Sequence, residues 1–409
     1  MRLLKVLLLF LLPCLSFAQL KLRDALAIAT KNSLLLKDQN LNIPIADNDV
    51  KKARLYNNPI FNLQYMQLLP RSNQYNQGKG VLHPTNSQDW FQLTKRFQVF
   101  GQRIHRIEMA KLDASIVRYQ FDETKRDLAL EVAMEWIDAW RALAYRNLAM
   151  KAANYLDSYL RSTKDNSLRT MKADEKLRFE ILDDQYDLQL GQAEQEYFTT
   201  TEKLKLLLGI RDSILIDIND TLETVIIGSS IDSLFLLAKQ NRADVKMFDA
   251  FKKGSLTNVK YQKSLAIPQP EAGFIWNPQN GIPYAGLYFT QQLPLFDRNH
   301  TEVQKAKLSS QSYEIKSQQN MNELTSEISA SFYNYNRSKT LVKGFRHNLE
   351  DSEKLLVMVK KAYLNNERSL VDIWEAEQTW VQTYSMYYDA YVDYRKSYIN
   401  VLYQLNLLD

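Results

Sequence analysis

Two periods alternate along this chain. Within 102–163 and 299–363, apolar residues return every three or four positions. Met109, Leu112, Ile116 and Tyr119 form one such series, and Val132, Trp136, Trp140 and Leu143 another. That spacing makes a narrow apolar stripe suited to helix-on-helix packing. One helix over 102–163 would be roughly 90 Å long at about 1.5 Å per residue, and 299–363 would match it. Helices of that length need a partner along their course. The segments near 168–208 and 369–407 are placed to fold back and supply one.

Between these tracts the period becomes two. Phe61, Leu63, Tyr65 and Leu69 alternate with Asn62 and Gln64. Phe91, Leu93, Phe97 and Val99 oppose Gln92, Thr94, Arg96 and Gln98. Phe274 and Trp276 alternate with Gly273 and Ile275. Ala285, Leu287, Phe289, Leu293 and Leu295 alternate with Tyr288, Thr290 and Gln292. These runs predict strands at about 59–69, 89–100, 268–277 and 284–295. Proline agrees: after Pro13 it falls at 44, 59, 70, 84, 268, 270, 278, 283 and 294, never inside the long tracts. Segments of about ten residues, apolar on one face, fit transmembrane β-strands. On pattern alone, a soluble antiparallel sheet with one face on a core fits equally. Lys95, on the apolar face, fits the membrane reading only if it snorkels near an interface.

The pattern occurs twice. FQLTKRFQVFGQRIHRIEMAKL at 91–112 and LYFTQQLPLFDRNHTEVQKAKL at 287–308 share Thr94/Thr290, Phe100/Phe296 and Ala110-Lys111-Leu112/Ala306-Lys307-Leu308 at one offset. Asp24, Leu26 and Lys31 match Asp232, Leu234 and Lys239. The chain therefore reads as a first repeat at 19–208, a linker at 209–230 and a second repeat at 231–409. Each repeat is helix, strand, strand, long helix, returning helix. The first hairpin loop, about 70–88, is longer than the second, about 278–283.

Composition narrows the setting. Arg2 and Lys5, the apolar run Leu7–Leu12 and the small residues Ser16 and Ala18 read as a signal peptide at 1–18, cleaved between Ala18 and Gln19. Cys14 is the only cysteine, and Pro13 stands where lipidation needs a small residue. After cleavage neither disulfides nor thiolate metal sites contribute. The signal peptide, and the lack of helix heptads for a second core layer, favour membrane strands. Four such strands cannot close a barrel, and open edges are not stable in lipid. Closure would come from other copies: two chains give about eight strands and three give about twelve, the larger leaving room for a channel.

Ala362-Tyr363-Leu364-Asn365-Asn366-Glu367-Arg368-Ser369-Leu370-Val371-Asp372-Ile373-Trp374-Glu375-Ala376-Glu377 resembles the second periplasmic tip of the TolC-like outer membrane efflux factors. Asn366 stands where Gly is usual, and Asn tolerates a left-handed backbone. Val99-Phe100-Gly101-Gln102-Arg103-Ile104-His105-Arg106 resembles a segment of the family's heavy-metal branch, with Gln102 in place of Lys. The resemblance spans the mature chain. It implies a mainly α protein with a membrane β-barrel portion. Three copies would form a twelve-stranded barrel continued by an α-helical periplasmic coiled-coil tunnel. It further implies a passive exit duct in the outer membrane, without cofactor. The duct would dock on a periplasmic adaptor (membrane fusion) protein and an inner-membrane pump of the resistance-nodulation-division type. The residues it marks at the tips are Asn365, Asn366, Arg368, Ser369 and Leu370, with Asp165, Asn166, Ser167 and Leu168 at the first tip. Lys360 and Asp372 are candidate ionic latches there, or ordinary solvated helix charges.

Other classes find little support. The four histidines, at 83, 105, 300 and 347, share no ligand spacing, and no phosphate loop or nucleophile elbow occurs. No metal site is expected. Acids and bases are interleaved at a net charge of +5, which argues against nucleic acid. A seam of Tyr384, Tyr387, Tyr391, Tyr394 and Tyr398 reads as packing. The competing reading is a secreted periplasmic or surface coiled-coil protein without a pore. Fractionation separates the two: a duct stays with the outer membrane through salt and urea washes, whereas a soluble coiled coil is released.

Overall fold

The computed structural model describes residues 19–163, 173–221, 230–279, 282–365 and 367–408. In chain order the elements are α1 (Leu22–Asn32), α2 (Leu34–Arg54), β1 (Ile60–Gln67), β2 (Ser87–Arg96), α3 (Gln102–Thr163) and α4 (Ala173–Leu208). The same order follows in α5 (Ile231–Asn241), α6 (Ala243–Ser264), β3 (Glu271–Gln279), β4 (Ile282–Thr290), α7 (His300–Leu364) and α8 (Leu370–Leu405). Contacts group the chain into two units. One is Met1–Lys37, Glu123–Arg242 and Glu323–Asp409; the other is Asp38–Asp122 and Ala243–Asn322. The copies at 19–208 and 231–409 are thus repeats of element order, and each compact unit draws on both.

The first unit is helical. Val132, Ala133, Trp136, Ile137 and Trp140 of α3 are buried, as are Leu204 and Leu208 of α4, Leu324 and Ile328 of α7, and Tyr398, Ile399, Leu402 and Leu405 of α8. The stripe at 132, 136 and 140 therefore faces this core. Its tryptophans also hold backbone. Trp136 Nε1 donates to the Leu20 carbonyl at 3.1 Å and Trp140 Nε1 to that of Ile218 at 3.0 Å. Leu20 and Ile216 form a parallel bridge, with Leu20 N donating to Leu215 O at 2.6 Å. Arg395, wholly buried, donates to the Asp220 carbonyl at 2.8 Å, and its guanidinium lies 4.7 Å from the Trp140 ring centroid. Burying a guanidinium is costly unless it is compensated; here aromatic faces and a carbonyl supply the compensation.

The second unit carries one four-stranded antiparallel sheet in the order β1-β2-β3-β4. Its strands depart from the expected ends for local reasons. Pro268 and Pro270 have no N–H to donate, so β3 starts at Glu271 rather than near 268. At the other end, Phe100 and Gly101 have φ of 52° and 79°, and this turn stops β2 at Arg96 rather than near 100. β4 ends at Thr290 rather than near 295, ahead of the 293–295 turn in which Leu295 N donates to Leu293 O at 2.9 Å. β3 and β4 also run further into their hairpin, where Pro278 faces Pro283 in register. Proline is less excluded from helix than its distribution implied: Pro44 lies inside α2.

At Gly273 the β3 backbone leaves no room for a side chain against β2. An added Cβ would collide with the Leu93 carbonyl oxygen and lie 2.6 Å from the Thr94 Cα. At Gly286, on β4, nothing lies within 4 Å. Gly273→Ala is expected to break the β2–β3 pairing and remove the protease-resistant sheet, and Gly286→Ala to keep it. Limited proteolysis of the two variants checks this.

Candidate functional site

The sheet sorts its side chains by chemistry. Phe61, Leu93, Phe274 and Leu287 stand opposite one another in one row, and Leu63, Phe91, Trp276 and Ala285 in the next of the same face. Phe91 and Trp276 stack with centroids 5.0 Å apart. The opposite face carries Asn62, Gln92, Ile275 and Gly286 in one row, and Ile60, Thr94, Gly273 and Tyr288 in another. Among the described residues no second layer covers either edge strand. All eight β1 residues are exposed, and on β4 only Tyr288 falls short of full exposure. Phe274 and Leu287 remain 68% and 82% exposed. A soluble sheet would bury that face, so this arrangement disfavours the soluble-sheet reading. Lys95 lies at the helix-proximal end of β2, opposite Ala272, with Nζ 5.3 Å from the Tyr56 ring centroid.

The segment Gly101–Arg106 fastens this sheet to helices. Gln102, buried, donates through Nε2 to the carbonyls of Ser264 and Ile267 at 3.0 and 2.9 Å, at the C-terminus of α6. Arg103 donates to the Arg54 carbonyl at 2.6 Å. Arg106 donates to the carbonyls of Ala53 and Leu55 at 3.0 and 2.9 Å. The last carbonyls of a helix lack intrahelical partners and carry the negative end of its dipole, so cationic and amide donors suit them. The second repeat closes its corner differently. Asn299, at φ 59°, precedes α7 and donates through Nδ2 to the Gln262 carbonyl at 2.8 Å. The motif read as a branch marker thus has a structural task at a helix–sheet corner.

At the α7–α8 connection, Ser369 is the N-cap of α8. Its Oγ accepts from Asp372 N at 3.3 Å, and Asp372 Oδ2 accepts from Ser369 N at 2.7 Å. This capping box holds Asp372, together with Arg368 at 3.4 Å. Hydrogen bonds from the Ser369 hydroxyl and then its N–H hold the Asp372 carboxyl below its ordinary pKa. Asn365 is exposed and its N–H donates to the Lys361 carbonyl at 3.2 Å. Leu370 opens α8. Lys360 lies over the Tyr155 ring at 3.7 Å and also feels Glu377. Lys360 is thus engaged with the Tyr155 ring, and Asp372 with Ser369 and Arg368. Asn366, Asp165, Asn166, Ser167, Leu168 and Ala18 lie outside the described residues; Gln19 is exposed.

Glu377 went unremarked in the sequence. It is 1% exposed, and its Oε1 has no hydrogen-bond partner. Two apolar clusters are built on this stretch of α8: Ile373 packs with Ala152, Leu182 and Tyr186, and Ala376 and Trp380 with Leu148 and Leu356. The charged and titratable groups facing Glu377 are Lys360 from α7 and Tyr186 from α4, with Tyr155 of α3 beneath the lysine. Burial pushes its pKa from the ordinary 4.5 to about 7, against a smaller opposing pull from Lys360. The signal was present: Ile373, Glu377, Trp380, Tyr384 and Tyr387 step by four, three, four and three, so a carboxylate occupies the apolar seam. Among the described residues no cluster of three or more His, Cys, Asp or Glu side chains is placed to hold a metal ion, and no helix is long and apolar enough to cross a membrane.

Two outcomes follow from these contacts. Arg106→Ala leaves helix-end carbonyls without donors and is expected to destabilise the second unit by about 1–3 kcal/mol, read as a lowered thermal midpoint. For Glu377 the folded state holds a proton that the unfolded chain releases between pH 4.5 and about 7. Its stabilisation is therefore complete below the lower value and lost as pH rises through the upper, on the order of 3 kcal/mol in all. Hydrogen exchange of α8 should slow as pH falls through that window, after correction for intrinsic rates. Glu377→Gln should remove the dependence.

No protein-family model matches this sequence, and no curated protein matches it. Solved structures share the fold. CusC, whose crystal structures concern folding and transmembrane channel formation, superposes with a TM-score of 0.77 at 13% identity, over 95% of this chain and 92% of that one. The CmeC outer membrane channel of Campylobacter jejuni gives 0.76 at 15% identity, over 95% and 86%. The open-state MtrE outer membrane channel of Neisseria gonorrhoeae gives 0.73 at 14% identity, over 94% and 88%. The chain has the fold of these outer membrane channels.

Proposed function

We propose that this protein is the outer membrane exit duct of a tripartite efflux system. The observation that carries the reading is the single-layer sheet, apolar on one face, polar on the other and open at β1 and β4. Such a sheet is stable in lipid only when its edges are paired. Three copies pairing β1 of one to β4 of the next make a twelve-stranded barrel, wide enough for a channel. Its apolar face would meet lipid and its polar face line the lumen. The long hairpins α3–α4 and α7–α8 continue it as a periplasmic tunnel. The connection at Asn365–Leu370, and its counterpart at Asp165–Leu168, meet the adaptor protein. An inner-membrane pump of the resistance-nodulation-division type supplies the energy, and conduction through the duct is passive. The shared fold with CusC, CmeC and MtrE supports this role. Gln102, Arg103 and Arg106 of the 101–106 segment serve helix-end carbonyls whatever the cargo.

Growth of a deletion strain tests the role and the cargo together. Salts of Cu, Zn, Co and Ni are set beside dyes, bile salts and hydrophobic antibiotics. Sensitivity restored to normal by the intact gene, but not by the Gly273→Ala variant, is the expected outcome. The class of compound that discriminates gives the cargo. Unchanged growth in every condition contradicts the duct.

A further inference from the structure

The connection between β1 and β2 is much longer than a hairpin needs, and it has a built shape. It leaves the sheet at the end where Gln67 pairs with Ser87, opposite the end where Ile60 pairs with Thr94 beside the helices. Residues 69–86 form successive turns: Ser72 N donates to Leu69 O at 2.8 Å, Tyr75 N to Ser72 O at 3.0 Å, Lys79 N to Asn76 O at 3.2 Å, His83 N to Gly80 O at 3.0 Å and Asn86 N to His83 O at 2.8 Å. Asn86 is wholly buried beneath them. Its Oδ1 accepts from Asn76 N at 2.7 Å and its Nδ2 donates to Asn76 O at 3.0 Å. Gln67 Nε2 donates to the Val81 carbonyl at 2.8 Å, which holds the 81–82 stretch beside the end of β1.

What this scaffold displays is one-signed and partly apolar. Residues 68–88 contain Arg71 and Lys79 and no Asp or Glu. Both cations are exposed, and among the described residues neither side chain makes an ion pair or hydrogen bond. His83 is occupied with Thr85 at 3.0 Å. Leu69, Val81 and Leu82 are 75%, 52% and 78% exposed. Apolar side chains flanked by free cations suit the boundary between acyl chains and anionic headgroups.

We propose that this loop docks on the phosphorylated headgroups of lipids in the surrounding membrane leaflet. Arg71 and Lys79 pair with headgroup phosphate while Leu69, Val81 and Leu82 enter the acyl boundary. The inference rests on the outer membrane reading, because it needs the sheet to stand in lipid. It commits to lipid-borne phosphate over free phosphate, because the apolar trio beside the cations has no use for a soluble ion.

The test uses the full chain reconstituted in zwitterionic nanodiscs doped with a bisphosphorylated glucosamine glycolipid or its dephosphorylated counterpart, with native mass spectrometry counting retained glycolipid. The wild type should retain the phosphorylated form about thirtyfold better than the dephosphorylated one, from about 1 kcal/mol for each of two cations. Arg71→Gln/Lys79→Gln should lose that preference while inserting equally well, since both side chains are free of the scaffold. Insertion with equal retention of the two glycolipids overturns the inference and leaves the duct reading standing. Displacement by millimolar inorganic phosphate overturns the choice of lipid. Failure to insert in any bilayer overturns the duct reading, and the inference with it.

Discussion

A strand that faces hydrocarbon cannot leave its backbone N–H and C=O groups unpaired, because nothing in lipid can take the place of water. On the proposed duct reading, the second unit is arranged around that constraint. Its strands pair internally, and the two outer ones carry the unmet requirement at β1 and β4. The alternation of side chains turns the same sheet into a boundary, with Phe274 and Leu287 on one side and Asn62 and Gln92 on the other. Pairing the edges and sorting the faces are one requirement seen from two directions. In the proposed duct, an assembly of copies meets both.

The helices translate this into position. A strand end and a helix end meet at each corner, where helix carbonyls would otherwise be left without donors. Arg103 and Arg106 occupy those carbonyls at the end of α2, and Gln102 and Asn299 do so at the end of α6. The corners therefore hold the first turns of α3 and α7 to the ends of α2 and α6 within this unit. Within the first unit the helices are held by a different device. Two indole N–H groups and one guanidinium clasp the backbone of the N-terminal segment and of the segment after α4. A buried Arg395 against Trp136 and Trp140 gives that clasp geometric definition that apolar packing alone would not.

Much of this was legible in the sequence, because it rests on local period. The stripe at Val132, Trp136 and Trp140 is a helix core stripe, and Phe61/Leu63 and Phe274/Trp276 alternate as strands do. The strand ends were less legible: they depend on proline N–H groups that are absent and on the positive φ at Phe100 and Gly101. The contacts of Gly101–Arg106 were not legible for a different reason. Its hydrogen-bond partners lie about 50 and 160 residues away in sequence, and a motif does not name its partners. Glu377 was readable and passed over: a carboxylate in a seam of Ile, Trp and Tyr is a local inconsistency, which often marks a site with a task. Long-range pairs such as Arg395 with the Asp220 carbonyl leave no trace in the pattern at all.

The central claim is that β1 of one copy pairs with β4 of the next to close a barrel. Cys14 is the only native cysteine, so Cys14→Ser gives a background free for engineered pairs. Asn62→Cys on β1 can be combined in turn with Tyr284→Cys, Gly286→Cys or Tyr288→Cys on β4, and the membranes oxidised. The account predicts that one of these combinations gives a covalent ladder ending at the trimer, and that each single cysteine gives none. Chains that stay monomeric in every combination, or that link without limit, would contradict closure by three copies.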